Sequence, residues 1–281
     1  MQKKTGNNVR TAIKFLKIAQ QNFTVKHSNY TTTIECNGVK QMYCVKKRTN
    51  ESFAANNLIQ KNLKQYNFIE KISEEPILNN KEIYYKNRDY ISPVHYPTVI
   101  NIDLNNAYPS TLLQQGGIDT YTFNFLNKLK KTEKLASLGM LAARHDKYTY
   151  EKGKLINVES SKPKKYSTAF FYCVKWVDFL MLEAEKIAGI DFLYFWVDGI
   201  YLNPMTPQPV IDEICQLFNE LGYKFSIDIM HNFNLKRTGN NLNITFDEIK
   251  NDTKKTKSFI VPDKKLIENH NKIITHFLNK N

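Results

Sequence analysis

A chain of 281 residues, 42% hydrophobic and 12% aromatic, can bury the core of one large domain or two small ones, which excludes a disordered polymer. Its formal net charge of +13 is unevenly spread: residues 1–100 carry 16 Lys and Arg against 7 Asp and Glu, residues 101–250 carry 17 against 17, and residues 251–281 carry 7 against 3. A neutral centre between cationic flanks suits a core that grips a polyanion, although a compositional bias toward Lys, Asn and Ile would produce the same balance.

The N-terminus MQKKTGNNVR has no apolar run behind its charges, and no window reaches the length of a membrane span. The expectation is a cytoplasmic chain with no membrane partner. Thr11 to Gln20 reads as a short amphipathic helix, and Tyr30 to Val45 as two strands around Asn37-Gly38. Ser52 to Tyr66 is a second helix. Residues 74–97 dissolve into Pro, Asn and Lys around a short Ile83–Tyr85 strand, so a basic N-terminal region, 1–98, is expected to end there. Cys36, Cys44, Cys173 and Cys215 form no C-x-x-C pair and fit reduced, buried thiols.

The centre is better defined. Val99 to Leu104 is a strand, and Pro109 to Gln115 a short helix stopped by Gly116-Gly117. Asn124 to Ala143 is expected as one helix. Ser167 to Ala188 is another, with a broad apolar face and Gly189 after it. The run DFLYFWVDGIYL, Asp191 to Leu202, is too apolar to be solvated and reads as a buried hairpin with Asp198-Gly199 near its turn. Val210 to Leu221 is a helix, Phe225 to Met230 a strand, and Leu266 to Leu278 a terminal helix.

Singly, Asp103 reads as a capping residue at a strand end and Asp198-Gly199 as a hairpin turn. Together they place two carboxylates at the tips of buried strands with no cation in either strand. Two-metal phosphoryl transfer needs that arrangement, because acidic oxygens must hold paired divalent ions rigidly.

The residues also resemble a known family. DLNNAYPS, Asp103 to Ser110, resembles motif A of family B DNA polymerases, above all the protein-primed branch of phages and plasmids. WVDGIYL, Trp196 to Leu202, resembles their motif C, with Asp198 on its second aspartate. KTEKLASLG, Lys131 to Gly139, resembles motif B, and KTKSF, Lys255 to Phe259, resembles the K-x-Y element that touches the primer. The resemblance covers residues 99–262.

It implies an α+β fold, a palm-like antiparallel sheet packed on helices over 99–262, with truncated fingers at about 116–145; the residue pattern adds a C-terminal helix over 263–281. It implies a DNA polymerase that uses two Mg²⁺ or Mn²⁺ ions, a DNA template-primer and deoxynucleoside triphosphates, with a terminal protein or other replication subunit as partner. Asp103, the Leu104 carbonyl and Asp198 would hold metal. Tyr108, beside Asn106, would lie under the incoming sugar and exclude a 2′-hydroxyl, and Lys131 would meet the triphosphate, a role that Lys128, Lys130 or Lys134 could also fill. Lys255, Lys257, Lys164 and Lys165 would touch nucleic acid.

The departures bear on function. Trp196 stands where the family has its first motif C aspartate, and Gly199 where it has serine. Leu135 and Leu138 replace the motif B asparagine and tyrosine, and only 22 residues separate Tyr108 from Lys131, so the fingers must be short. Asp89 is the only aspartate among the first 102 residues, so no proofreading exonuclease is expected. The six histidines show no metal-ligand spacing. Three other readings stay open: a catalytically silent palm acting as a DNA-binding accessory, a primase-like enzyme, and a basic nucleic-acid-binding domain with coincidental motifs.

Overall fold

The computed structural model describes residues 6–28, 31–44, 50–79, 85–87, 94–142, 145–160, 165–238, 241–250 and 253–262. Among these, the elements run α1 (Gly6–Ile18), β1 (Phe23–Ser28), β2 (Thr31–Cys36), β3 (Val39–Cys44), α2 (Asn50–Gln65), α3 (Phe68–Ile72), β4 (Tyr85–Asn87), β5 (Val94–Leu104) and α4 (Ala107–Gln114). They continue with α5 (Thr120–Lys128), α6 (Lys131–Gly139), β6 (His145–Glu151), β7 (Lys154–Ser160), α7 (Ser167–Ala188), β8 (Phe192–Trp196), β9 (Gly199–Leu202), α8 (Gln208–Glu220), β10 (Phe225–Thr238), β11 (Asn241–Lys250) and β12 (Thr253–Pro262). The fold is α+β, with two antiparallel sheets packed against helices.

The described residues form two compact units that interleave along the chain, one from 1–65 and 124–170, the other from 66–123 and 171–281. A linear boundary near residue 98 therefore does not describe the chain, because that position lies inside β5. The physical cause is strand pairing: β1 bonds to β6, more than a hundred residues downstream, through the register Phe23↔Tyr150 to Ser28↔His145.

The first unit holds a sheet of order β3-β2-β1-β6-β7. Asn37 (φ 48°) and Gly38 (φ 74°) make the tight β2–β3 turn, which requires a left-handed backbone at both positions. The α1 stripe of Val9, Ala12, Ile13 and Leu16 packs on Phe23, Val25, Ile34 and Tyr43, so the amphipathic spacing at the N-terminus finds its partner in this sheet. The buried amide of Asn56 on α2 donates to the Ser137 carbonyl of α6 at 2.8 Å. The helix expected over 124–143 is two helices. Lys130 is extended (φ −60°, ψ 149°) and its N–H donates to the Glu133 carboxylate at 3.2 Å, so the chain restarts a helix with an acidic first turn rather than continuing one.

The second unit holds a sheet of order β12-β11-β10-β5-β9-β8-β4. Alternation along β5 divides its side chains between two faces. Ile100, Ile102 and Leu104 pack with Val177, Leu180, Met181 and Ala184 of α7 and with Ile211, Ile214 and Phe218 of α8. Burying each such side chain contributes about 1.5–3 kcal/mol, which fixes the strand against its helices. Val99, Asn101 and Asp103 take the opposite face. The expected hairpin, the long helix and the α8 region all lie here, and β10 runs on to Thr238 rather than ending at Met230. Strands β11 and β12 were not expected. The terminal helix expected over Leu266–Leu278 lies outside the described residues, as do Ile83 and Tyr84. No described helix is long and apolar enough to cross a membrane.

Candidate active site

The seven-stranded sheet brings Asp103 and Asp198 to one place. Asp103, the last residue but one of β5, lies opposite Gly199 of β9, and the next N–H, that of Leu104, donates to the Asp198 carbonyl at 2.8 Å. Both aspartates are half-buried. The β8–β9 hairpin closes with Trp196 opposite Gly199, which leaves Val197 and Asp198 as the two loop residues. Asp198-Gly199 thus lies at the turn as expected, Asp198 in the loop and Gly199 opening β9. Val197 carries the positive backbone angle (φ 55°), an uncommon state for a β-branched residue that costs on the order of 1–3 kcal/mol.

Gly199 is a glycine for a different reason. A Cβ there would lie 2.8 Å from Asp103 Oδ1 and 3.2 Å from Asn101 Oδ1. The missing side chain is the space in which the two oxygens sit. Asn101 is only 3% exposed, and its Oδ1 is buried with no hydrogen-bond partner. An orphaned buried acceptor of this kind costs about 1–3 kcal/mol.

Beyond Asn101, across the β5–β9 pair, lies Tyr201, 8% exposed. Burial first, then the negative charges of Asp103, Asp198 and Glu248, push its hydroxyl well above the usual phenol range. The phenol stays protonated at any physiological pH and reports that three carboxylates share its neighbourhood. Glu248, opposite Met230 on β11, also takes the Lys257 ammonium at 2.8 Å. Asp228 lies opposite Asn101 on β10. Sequence reasoning missed Asn101, Asp228 and Glu248. Only the strand register exposes them, and no motif marks them.

The other expected site residues lie on several elements of both units. Tyr108, in the first turn of α4, is half-buried and packs in part against the helix-side core. Asn106 is exposed, left-handed (φ 54°, ψ 43°), and caps that helix, its carbonyl accepting the Ser110 N–H at 2.9 Å. Lys131 is exposed at the start of α6 and belongs to the other unit. Lys165, also of that unit, holds its ammonium 5.9 Å from the Tyr166 ring centre. Lys164 lies outside the described residues. Lys255 is exposed on β12 opposite Glu248, whereas Lys257 is already ion-paired to that glutamate.

Among the described residues no group of three or more His, Cys, Asp or Glu side chains is gathered closely enough to hold a metal ion. A divalent ion here would rest on two carboxylates supplemented by neutral oxygens. The donor set suits a hard cation: carboxylates from Asp103 and Asp198, an unpaired amide oxygen at Asn101, and a cradle over Gly199 that a Cβ would fill. The fold and the site thus define a class no finer than an α+β chain with two acidic strand ends on one sheet. No family model matches the chain, and no curated protein matches its sequence.

Proposed function

We propose that the chain is a template-directed DNA polymerase of reduced family B type, without proofreading, acting in phage- or plasmid-like replication. The observation that carries this reading is the pairing of Asp103 with Gly199 beside the Asp198 turn, with the neighbouring Leu104 N–H donating to the Asp198 carbonyl at 2.8 Å, which brings together two acids far apart in sequence. Mg²⁺ or Mn²⁺ bound between them would supply charge stabilisation for phosphoryl transfer. The chain's own part is to orient. The strands fix the two carboxylates, and Gly199 leaves the Asp103 oxygen room. Tyr201 remains a neutral hydroxyl beside them. Tyr108, in the turn after Asp103, is the residue to check the sugar, and the exposed Lys255 is a cation for phosphate.

A catalytically silent palm that binds DNA is the second reading, favoured by Trp196 in the hairpin and by the want of a third gathered carboxylate among the described residues. Primer extension on a DNA template, with and without Mg²⁺ or Mn²⁺, decides between them. The polymerase reading expects metal-dependent incorporation that Asp103→Asn or Asp198→Asn lowers by about a thousandfold, roughly 4 kcal/mol in transition-state energy, with DNA binding retained. DNA binding without incorporation in the unaltered chain selects the silent palm. Incorporation without a primer selects a primase-like enzyme.

A further inference from the structure

We infer that Asn101 is a third oxygen ligand of the cation site formed by Asp103 and Asp198, an inference that rests on the polymerase reading of that site. Asn101 sits in the central strand, where asparagine is disfavoured and an apolar residue would pack without cost. Its neighbours on the helix side, Ile100 and Ile102, show what that strand otherwise selects. Yet the amide is 3% exposed and its oxygen has no donor. A buried acceptor left unpaired calls for an explanation, and an unfilled coordination bond supplies one.

The direction of the oxygen supports this. Asn101 Oδ1 and Asp103 Oδ1 converge on one point, the place a Gly199 Cβ would occupy, at 3.2 and 2.8 Å. Residues two apart in a strand share a face, so both side chains rise from the same side of β5 beside the Asp198 turn. Amide carbonyl oxygens are ordinary ligands of Mg²⁺, Mn²⁺ and Ca²⁺. A neutral ligand also suits this place. Asp103 and Asp198 already place negative charge near Tyr201, and a further carboxylate would raise the repulsion whenever the ion is absent.

Mn²⁺ binding to the full chain, read from the free-ion paramagnetic resonance signal without DNA or nucleotide, tests the assignment. Asn101→Ala is expected to weaken binding at least tenfold and Asn101→Asp to tighten it, with circular dichroism checking the fold of each. If Asn101→Ala proves unfolded, Asn101→Asp decides alone: tighter binding supports the ligand role, and equal or weaker binding overturns it. Asp103→Asn separates the two levels of argument. Loss of Mn²⁺ in Asp103→Asn with full binding in Asn101→Ala overturns the ligand role and leaves the proposed function standing. An unaltered chain that binds no Mn²⁺ overturns both.

Discussion

The two faces of β5 obey different rules. On one, Ile100, Ile102 and Leu104 meet α7 and α8, and each side chain is explained by the apolar surface it buries. On the other, Asn101 and Asp103 lie over a glycine and beside a buried tyrosine, with an orphaned oxygen that folding alone would discard. One strand therefore carries a face selected for stability along its length and a second face on which Val99 joins another apolar core with Tyr201 and Phe233, while Asn101 and Asp103 at its end spend stability. The second face is where chemistry is to be sought.

The comparison breaks most easily on its helix side. Ile102→Ala, at a fully buried position, is expected to cost about 2–5 kcal/mol of stability while leaving incorporation per folded molecule close to normal; denaturant melts and active-site titration measure the two. Gly199→Ser should behave in the opposite way. Its Cβ meets the Asp103 oxygen at 2.8 Å, so incorporation is expected to fall at least a hundredfold, about 2.7 kcal/mol, with a smaller loss of melting temperature. Equal damage to folding and activity from both substitutions would erase the distinction between the faces.

Tyr108→Ala is the next largest effect. A steric gate predicts at least a tenfold rise in ribonucleotide use relative to deoxynucleotide use, about 1.4 kcal/mol, from the two incorporation efficiencies on one template. Because the ring also packs against the helix-side core, an unchanged ratio with a lower melting temperature would assign it to the first face alone.

The smallest effect contrasts a satisfied polar group with the orphaned one. Asp247 on β11 accepts hydrogen bonds from Asn232, Lys254 and Thr256, which hold its carboxyl well below the usual carboxylate range. A depressed folded value means its stabilisation is complete above the unfolded value, about pH 4, and is lost as pH falls through the folded one. Asp247→Asn should melt below the wild type at pH 7, with the gap closing in acid. A gap that persists at low pH would show that the carboxylate charge is not the cause.

Much of the helix-side architecture was legible in the residues. The bounds of α7 match the expected Ser167–Ala188 because its apolar face, alternatives aside, fits only a long buried helix ended by Gly189. The β8–β9 hairpin was legible from its apolar density, and Asp198-Gly199 marked its turn, but the reason for the glycine was not legible. Gly199 answers a side-chain clash, which no local pattern encodes. Strands β6 and β7 escaped because HDKYTYE and KLINVES mix charges with apolar residues, and Leu155, Ile156 and Val158 remain exposed. Strand β12 escaped for a related reason, since TKKTKSFIVP begins as a lysine-rich run on a sheet edge. Of the site, Asp103 and Asp198 were visible as motif residues. Asn101 and Glu248 were not, because their meaning lies in which strand stands opposite.

The pairing of β1 with β6 also sets a timetable for synthesis. Strands β1, β2 and β3 emerge early and pair with one another, but the second partner of Phe23–Ser28, β6, is made about 120 residues later. At roughly 5–20 residues per second the nascent chain carries that strand's open hydrogen-bonding edge for on the order of ten seconds. Throughout that interval Phe23 lacks the stacked Tyr150 ring that lies 4.4 Å from it in the finished sheet. Until β6 is made, the first sheet therefore presents an unpaired strand edge, the kind of surface that invites mispairing with another chain.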